Sequence, residues 1–188
     1  MSYDLISKVF TSPLGNPILR VGDDAGVVVI PHPNGLKGSK LAISTDSHVV
    51  MPLFFPGGDI GKLAVCGTVN DVAMMGATPL YLTAGFILEE GLDIDLLKKV
   101  VDSMRITAQE ANIQIIAGDT KVVQNGKADG IYINTTGVGI IPDQVNISGR
   151  GAKPGDVVIL SGTIGDHGIA GLADRGELNF ETQITSDV

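Results

Sequence analysis

Tryptophan is absent from this sequence, and phenylalanine and tyrosine make up only 4% of it. A surface that stacks nucleic-acid bases needs such rings, so their scarcity argues against a single-strand binder. There is one cysteine, Cys66, which excludes both a disulfide framework and a multi-cysteine metal centre within one chain. Basic residues are the minority charge, 13 Lys and Arg against 21 Asp and Glu, for a net charge of −8. They form no cluster, so a polyanion would be repelled. No apolar run is long enough to span a bilayer. Met1–Lys8 carries an early acid and no apolar stretch, unlike a signal peptide. These absences point to a cytoplasmic protein with no nucleic-acid or membrane partner.

What is present favours an α/β (α+β) fold. Apolar residues supply 44% of 188 positions, enough to bury a core, and 25 glycines allow tight backbone turns. The β-branched run Gly26–Pro31 and the segment Lys40–Asp46, joined by turn residues at Pro33–Gly38, predict a hairpin. A Pro- and Gly-rich loop at Pro52–Gly58 precedes a helix over Asp59–Met75, with Asp59 as N-cap. Pro79–Leu88 is predicted as a strand. Ile94, Leu97, Val101, Met104, Ala108 and Ala111 recur at helical spacing and predict a helix over Asp93–Ala111. A strand at Ile113–Ala117, a loop at Gly118–Asp129 and a strand at Gly130–Ile141 follow. The order describes a mixed sheet with two main helices over residues 1–148. A linker, Gly149–Gly155, leads to a predicted strand at Asp156–Ser161 and a helix starting near Gly165. One strand and one helix cannot close a core, so residues 149–188 are expected to be the incomplete start of a second α/β domain.

Several motifs fail on inspection. Gly57–Leu63 is one residue short of a phosphate-binding P-loop and lacks the Ser or Thr after Lys62. Gly137–Pro142 lacks the third glycine of a dinucleotide fingerprint. The three histidines show no metal-ligand spacing. What remains is a set of carboxylates beside glycines and strand ends: Asp23–Asp24, Asp46, Asn70–Asp71, Gly118–Asp119–Thr120–Lys121, and Asp166–His167. Any one of these alone is an ordinary turn pair. Asp71 differs, because a carboxylate within an apolar helix costs free energy unless it has a partner. Mg²⁺ takes one or two carboxylates together with substrate phosphates, and a lysine such as Lys121 offsets phosphate charge. Cys66 reads as a small buried helix residue and Lys62 as a solvated one.

The runs Asp46–Gly61 and Ala64–Ala77, with Gly118–Val123 and Lys127–Gly130, resemble the HypE family, the carbamoyl dehydratases of [NiFe] hydrogenase maturation. The wider superfamily is PurM-like and includes aminoimidazole ribonucleotide synthetase and thiamine-phosphate kinase. The resemblance implies ATP and Mg²⁺ as cofactors and a homodimer. It further implies a HypF carbamoyltransferase partner and delivery of cyanide to a HypC–HypD complex. The implied reaction is ATP-dependent dehydration of a carbamoylated C-terminal cysteine, from thiocarboxamide to thiocyanate. Carried over by motif, Asp24, Asp46, Asp71, Asp119 and Asp166 are expected to bind metal. Asp46, Asn70, Gly118, Asp119, Thr120 and Lys121 are expected to bind nucleotide, and Asp71, Lys121 and His167 to act in catalysis. The family's modified cysteine lies at the far C-terminus, whereas here the cysteine is internal, so the chain is expected to be a fragment unable to turn over on itself. Two alternatives remain open: another ATP-dependent kinase or synthetase of the superfamily, and a non-catalytic dimerisation or docking module.

Overall fold

The computed structural model describes residues 6–32, 38–174 and 183–188. A short π-helical turn at Ile6–Thr11 comes first. It is followed by β1 (Gly26–Ile30), β2 (Ser39–His48), β3 (Phe54–Phe55), β4 (Gly58–Asp59), α1 (Ile60–Met74), β5 (Thr78–Glu89), α2 (Ile94–Glu110), β6 (Gln114–Val123), β7 (Ile131–Ile141) and α3 (Asp166–Asp174). Five strands form one mixed sheet in the order β1-β2-β7-β5-β6, in which only β5 and β6 run parallel. The predicted hairpin is present as the β1–β2 pair; its turn residues 33–37 lie outside the described residues.

Alternation along β7 decides which face is covered. Ile131, Ile133, Thr135, Gly137, Gly139 and Ile141 are buried, and the residues between them are not. The buried face packs under α1 and α2, where Ile60, Val65, Leu82, Val100, Met104 and Ile133 form the main core. The opposite face leaves Ile43, Tyr81, Ile87 and Ile140 each about two-fifths exposed: 39%, 44%, 42% and 44%.

Asp59 caps α1 as the sequence predicts. Its Oδ1 accepts from the amides of Gly61 (2.7 Å) and Lys62 (3.2 Å), and its Oδ2 accepts from Ser103 Oγ on α2 (2.5 Å). One side chain therefore satisfies two free amides at the helix start and ties the helices together. Asp59→Ala is expected to cost about 2 kcal/mol of stability, read as a lowered urea midpoint with unchanged slope.

Four expectations require correction. Gly118–Lys121 is strand, not loop, because β6 continues to Val123 in register with β5. The inward stripe of α2 runs through Val100, Met104, Thr107 and Ala108, whereas Ile94 and Val101 are 60% and 46% exposed. The stripe is set by packing of this helix mainly against α1, which takes a neighbouring row of side chains rather than Ile94 and Val101. Residues Asp156–Ser161 form no strand, and Val157, Val158 and Ile159 are more than 80% exposed, at 82%, 86% and 86%. A strand is made by its neighbour's hydrogen bonds, and among the described residues no neighbour pairs with this run. The loop expected at Pro52–Gly58 contains the small β3–β4 hairpin.

Candidate functional site

Strand β2 presents Ser44, Asp46 and His48 to its covered face, two residues apart. Helix α1 brings Asp71 down onto them, and the turn before β1 brings Asp24. Ser44 Oγ donates to Asp71 Oδ2 at 2.7 Å and lies 3.2 Å from the carbonyl oxygen of Asp24. The Asp71 carboxyl is pushed above the usual range, first by burial and then by the nearby charges of Asp46 and Asp24, against the lowering effect of Ser44. Among the described residues, three acids thus converge with no lysine or arginine paired to them. That is the electrostatic condition of a cation site. Among the described residues no three His, Cys, Asp or Glu side chains stand close enough to hold an ion alone. A donor set completed by phosphate oxygens and water fits this arrangement. The neighbouring Asp23 faces elsewhere, accepting from the amide of Gly149 at 3.2 Å.

His48 is 5% exposed and lies 3.8 Å from Asp46 Oδ2. Burial holds its imidazole below the ordinary value of 6.5, although Asp46 and Asp71 pull the other way. Its Nε2 is 3.2 Å from Thr135 Oγ1, which also lies 2.6 Å from Thr68 Oγ1 and donates to the carbonyl of Ala64 at 2.8 Å. A hydroxyl has one proton and two lone pairs. Because Thr135 gives its proton to Ala64, it receives from Thr68 and from His48 Nε2–H, which fixes the tautomer of the neutral ring. A depressed histidine favours the folded state above its unfolded value, and that share is lost as pH falls below 6.5. His48→Gln is therefore expected to flatten the loss of thermal stability on acidification from pH 7 to 5.5, followed by melting temperature. Sequence reading missed Ser44, His48, Thr68 and Thr135. The period-two run of polar residues 44, 46 and 48 was the available signal.

Asp119 belongs to a second group. It is level with Gly85, Asn134 and Ser47 across the sheet, whereas Asp46 is level with Thr135, Ala84 and Gly118. Alternation therefore sends Asp119 to the uncovered face, and three strand spacings put it about 14 Å from Asp46. There it pairs with Lys121 (3.0 Å), which, with the amide of Thr120, lowers its carboxyl. Ser47, Gly85, Asp119, Lys121, Tyr132 and Asn134 line a recess of about 380 Å³. Gly118 lets the strands approach closely, since a Cβ there would sit 2.7 Å from the carbonyl oxygen of Ala84. The two groups stand back to back across β2: Asn134 Nδ2 donates to the carbonyl of Asp46 (2.9 Å) and to Ser47 Oγ (3.0 Å).

Asn70 is exposed beside Asp71. Asp166 accepts from Thr163 Oγ1, and His167 packs against Phe55 in the hairpin that precedes α1. Asp71 lies eleven residues beyond the first residue of α1, so His167 stands near the other end of that helix, about 17 Å along its axis. Cys66 is half-buried with its thiol pushed up by burial, unlike an activated nucleophile. Lys62 donates to the carbonyl of Gly57.

A mixed sheet with two helices on one face and a carboxylate cluster at their junction defines a class. The family described as AIR synthase related protein, N-terminal domain, matches residues 22–141, and the chain belongs to it. Within that family it groups with the HypE proteins. It is 52% identical over 97% of its length to carbamoyl dehydratase HypE of Cupriavidus necator, of which it covers 51%. A crystal structure of a HypE–HypF complex superposes with a TM-score of 0.88 at 53% identity, over 98% of this chain and 57% of that one. HypE in complex with ATP superposes at 0.75 and 52% identity, over 98% and 53%. The chain thus spans about half the length of the curated relatives it matches.

Proposed function

We propose that this chain supplies the Mg²⁺–ATP half of a carbamoyl dehydratase in hydrogenase maturation. The observation that carries the reading is the convergence of Asp24, Asp46 and Asp71, with the carboxyl of Asp71 raised by burial and then by its acidic neighbours. A HypE relative has been crystallised with ATP, and the blocks around Asp46 and Asp71 are those by which the sequence resembles that family. ATP supplies a phosphoryl group that turns the amide oxygen of a thiocarboxamide into phosphate, and loss of that phosphate and the N–H protons leaves a thiocyanate. In this reading Asp24, Asp46 and Asp71 bind the cation, with Asn70 beside them. Asp119 and Lys121, on the opposite face of the sheet, are proposed to meet phosphate in the recess there, where Lys121 neutralises developing charge; Thr120 and Gly118 alternate to the covered face, on the side of the cation group.

The uncovered sheet face supports a homodimer. Ile43, Tyr81, Ile87 and Ile140 form an apolar field on the face that also carries Asp119 and Lys121. A second copy laid on it would bury that field and enclose the recess. HypF, seen with a HypE relative, is the proposed carbamoyl donor partner, and HypC–HypD the proposed acceptor. Residues 1–148 are proposed as the nucleotide and dimer domain, and 149–188 as the start of the next.

Titration calorimetry with a non-hydrolysable ATP analogue tests this reading, and heat is expected only with Mg²⁺ present. Asp119→Asn, on an exposed strand, is expected to weaken that binding about tenfold with no change in melting temperature. No heat in the unsubstituted chain, alongside a stable dimer by light scattering, would instead favour a non-catalytic docking module.

A further inference from the structure

The β3–β4 hairpin has an occupant that the nucleotide reading does not use. Residues Ser186–Val188 lie along it. The amide of Ser186 donates to the carbonyl of Pro56 at 2.8 Å, extending the hairpin by one backbone bond. Ser186 is 7% exposed, and its hydroxyl lies 3.0 Å from His167 Nδ1 while accepting from the amide of Val188 at 3.3 Å. Asp187 Oδ1 accepts from the amide of His167 at 3.3 Å. The His167 ring stands edge-on to Phe55, centroids 5.3 Å apart at 71°. Gly57, at φ +96°, leaves no space here, because a Cβ would fall 2.4 Å from the oxygen and 2.6 Å from the nitrogen of Ser186. Three segments distant in sequence thus interlock through a buried hydroxyl, a ring pair and a glycine that only a backbone can face.

We propose that Ser186–Val188 is a strap fastening α3 to the β3–β4 hairpin, with His167 as its pin. His167 is then a positioning residue, not a catalytic one. Its ring is engaged by Phe55 and its Nδ1 by Ser186, near the far end of α1 from Asp71. The hairpin continues directly into Asp59, the cap of α1, so the strap couples α3 to the start of the helix that carries Asn70 and Asp71. The inference is independent of the nucleotide reading and does not fail with it.

A cysteine pair tests the strap in the 188-residue chain. A Cβ at position 58 would lie 2.9 Å from Val188 Cγ2, so Cβ atoms at 58 and 188 are at most one further bond apart, within disulfide range. Gly58→Cys with Val188→Cys, in a Cys66→Ser background, is expected to crosslink under mild oxidation. Adding Ser186→Val is expected to slow crosslinking about tenfold, and adding His167→Ala to do the same, while His167→Asn, which keeps a polar partner for Ser186, restores part of the rate. Amide exchange in the unsubstituted chain gives a second readout that no variant can spoil by misfolding. The amides of Ser186 and His167 are expected to exchange at least about tenfold more slowly than in an unstructured peptide. Unprotected amides at both positions would overturn the strap, as would a crosslinking rate indifferent to Ser186 and His167.

Discussion

Asp71→Asn is expected to abolish Mg²⁺-dependent binding of an ATP analogue, a loss of about 100-fold or more, while making the ligand-free chain more stable. The two effects have one cause. Asp71 sits against Asp46 and Asp24, and burial together with their charges raises its carboxyl above the value it has in the unfolded chain. Above that raised value the folded form holds a charge it disfavours, so stability falls as pH rises through the window above 3.8 and is regained on acidification. Asparagine removes the charge and keeps an oxygen that accepts from Ser44 Oγ. Because the site is partly open to water, the gain is modest, about 0.5 kcal/mol or roughly 2 °C in melting temperature. The loss in binding is larger, since a missing cation ligand costs about 3 kcal/mol. Calorimetry reads the first effect and thermal melts without Mg²⁺ the second. A variant that binds normally would remove Asp71 from the site; one that melts lower would show that the three acids do not repel.

Thr135→Val is expected to destabilise the chain by about 3 kcal/mol, a drop of roughly 8 °C, although valine matches threonine in shape. Thr135 is fully buried at the centre of β7, where one hydroxyl serves the carbonyl of Ala64, the hydroxyl of Thr68 and the ring of His48. Replacing it takes a partner from the Thr68 hydroxyl and the His48 ring in a dry interior, while the carbonyl of Ala64 keeps its helical bond. His48 also loses the acceptor that fixes its tautomer, and His48 borders Asp46. The double variant Thr68→Val with Thr135→Val should recover part of the loss, because it removes one of the stranded groups. Urea unfolding of the three proteins measures this, and strict additivity of the two single effects would show that the hydroxyls do not interact.

Long periodic segments were legible without coordinates. The cap at Asp59 and the extents of α1 and α2 match the sequence reading to within a residue or two, because capping chemistry and helical spacing are local. The mixed sheet follows from the alternation of strands and helices. What depends on partners was not legible. Gly118–Lys121 reads as a loop because glycine and aspartate disfavour strands, and only pairing with β5 makes it one. Val157–Leu160 has every local property of a strand and no neighbour among the described residues. The carboxylates divide in the same way. Asp24, Asp46 and Asp71 stand out locally, as acids beside strand ends and within an apolar helix. That Asp119 faces away from them is fixed by registers across four strands, which no local pattern encodes.

The place of β7 has a consequence for how the chain is made. Strand β7 is the last of the five in sequence, yet it lies between β2 and β5. Its register joins His48 to Ile133 and Leu88 to Ile131. During synthesis β1–β2 and β5–β6 emerge as two separate ribbons, with no strand to join them into one sheet until Ile141 has left the ribosome. Until then each ribbon offers a bare edge, and closing the sheet demands contacts between distant residues, the slow kind. Nascent chains halted before residue 131 should therefore bind holdase chaperones far more strongly than chains halted well past 141, and the inserted strand acts as the keystone that ends that exposure.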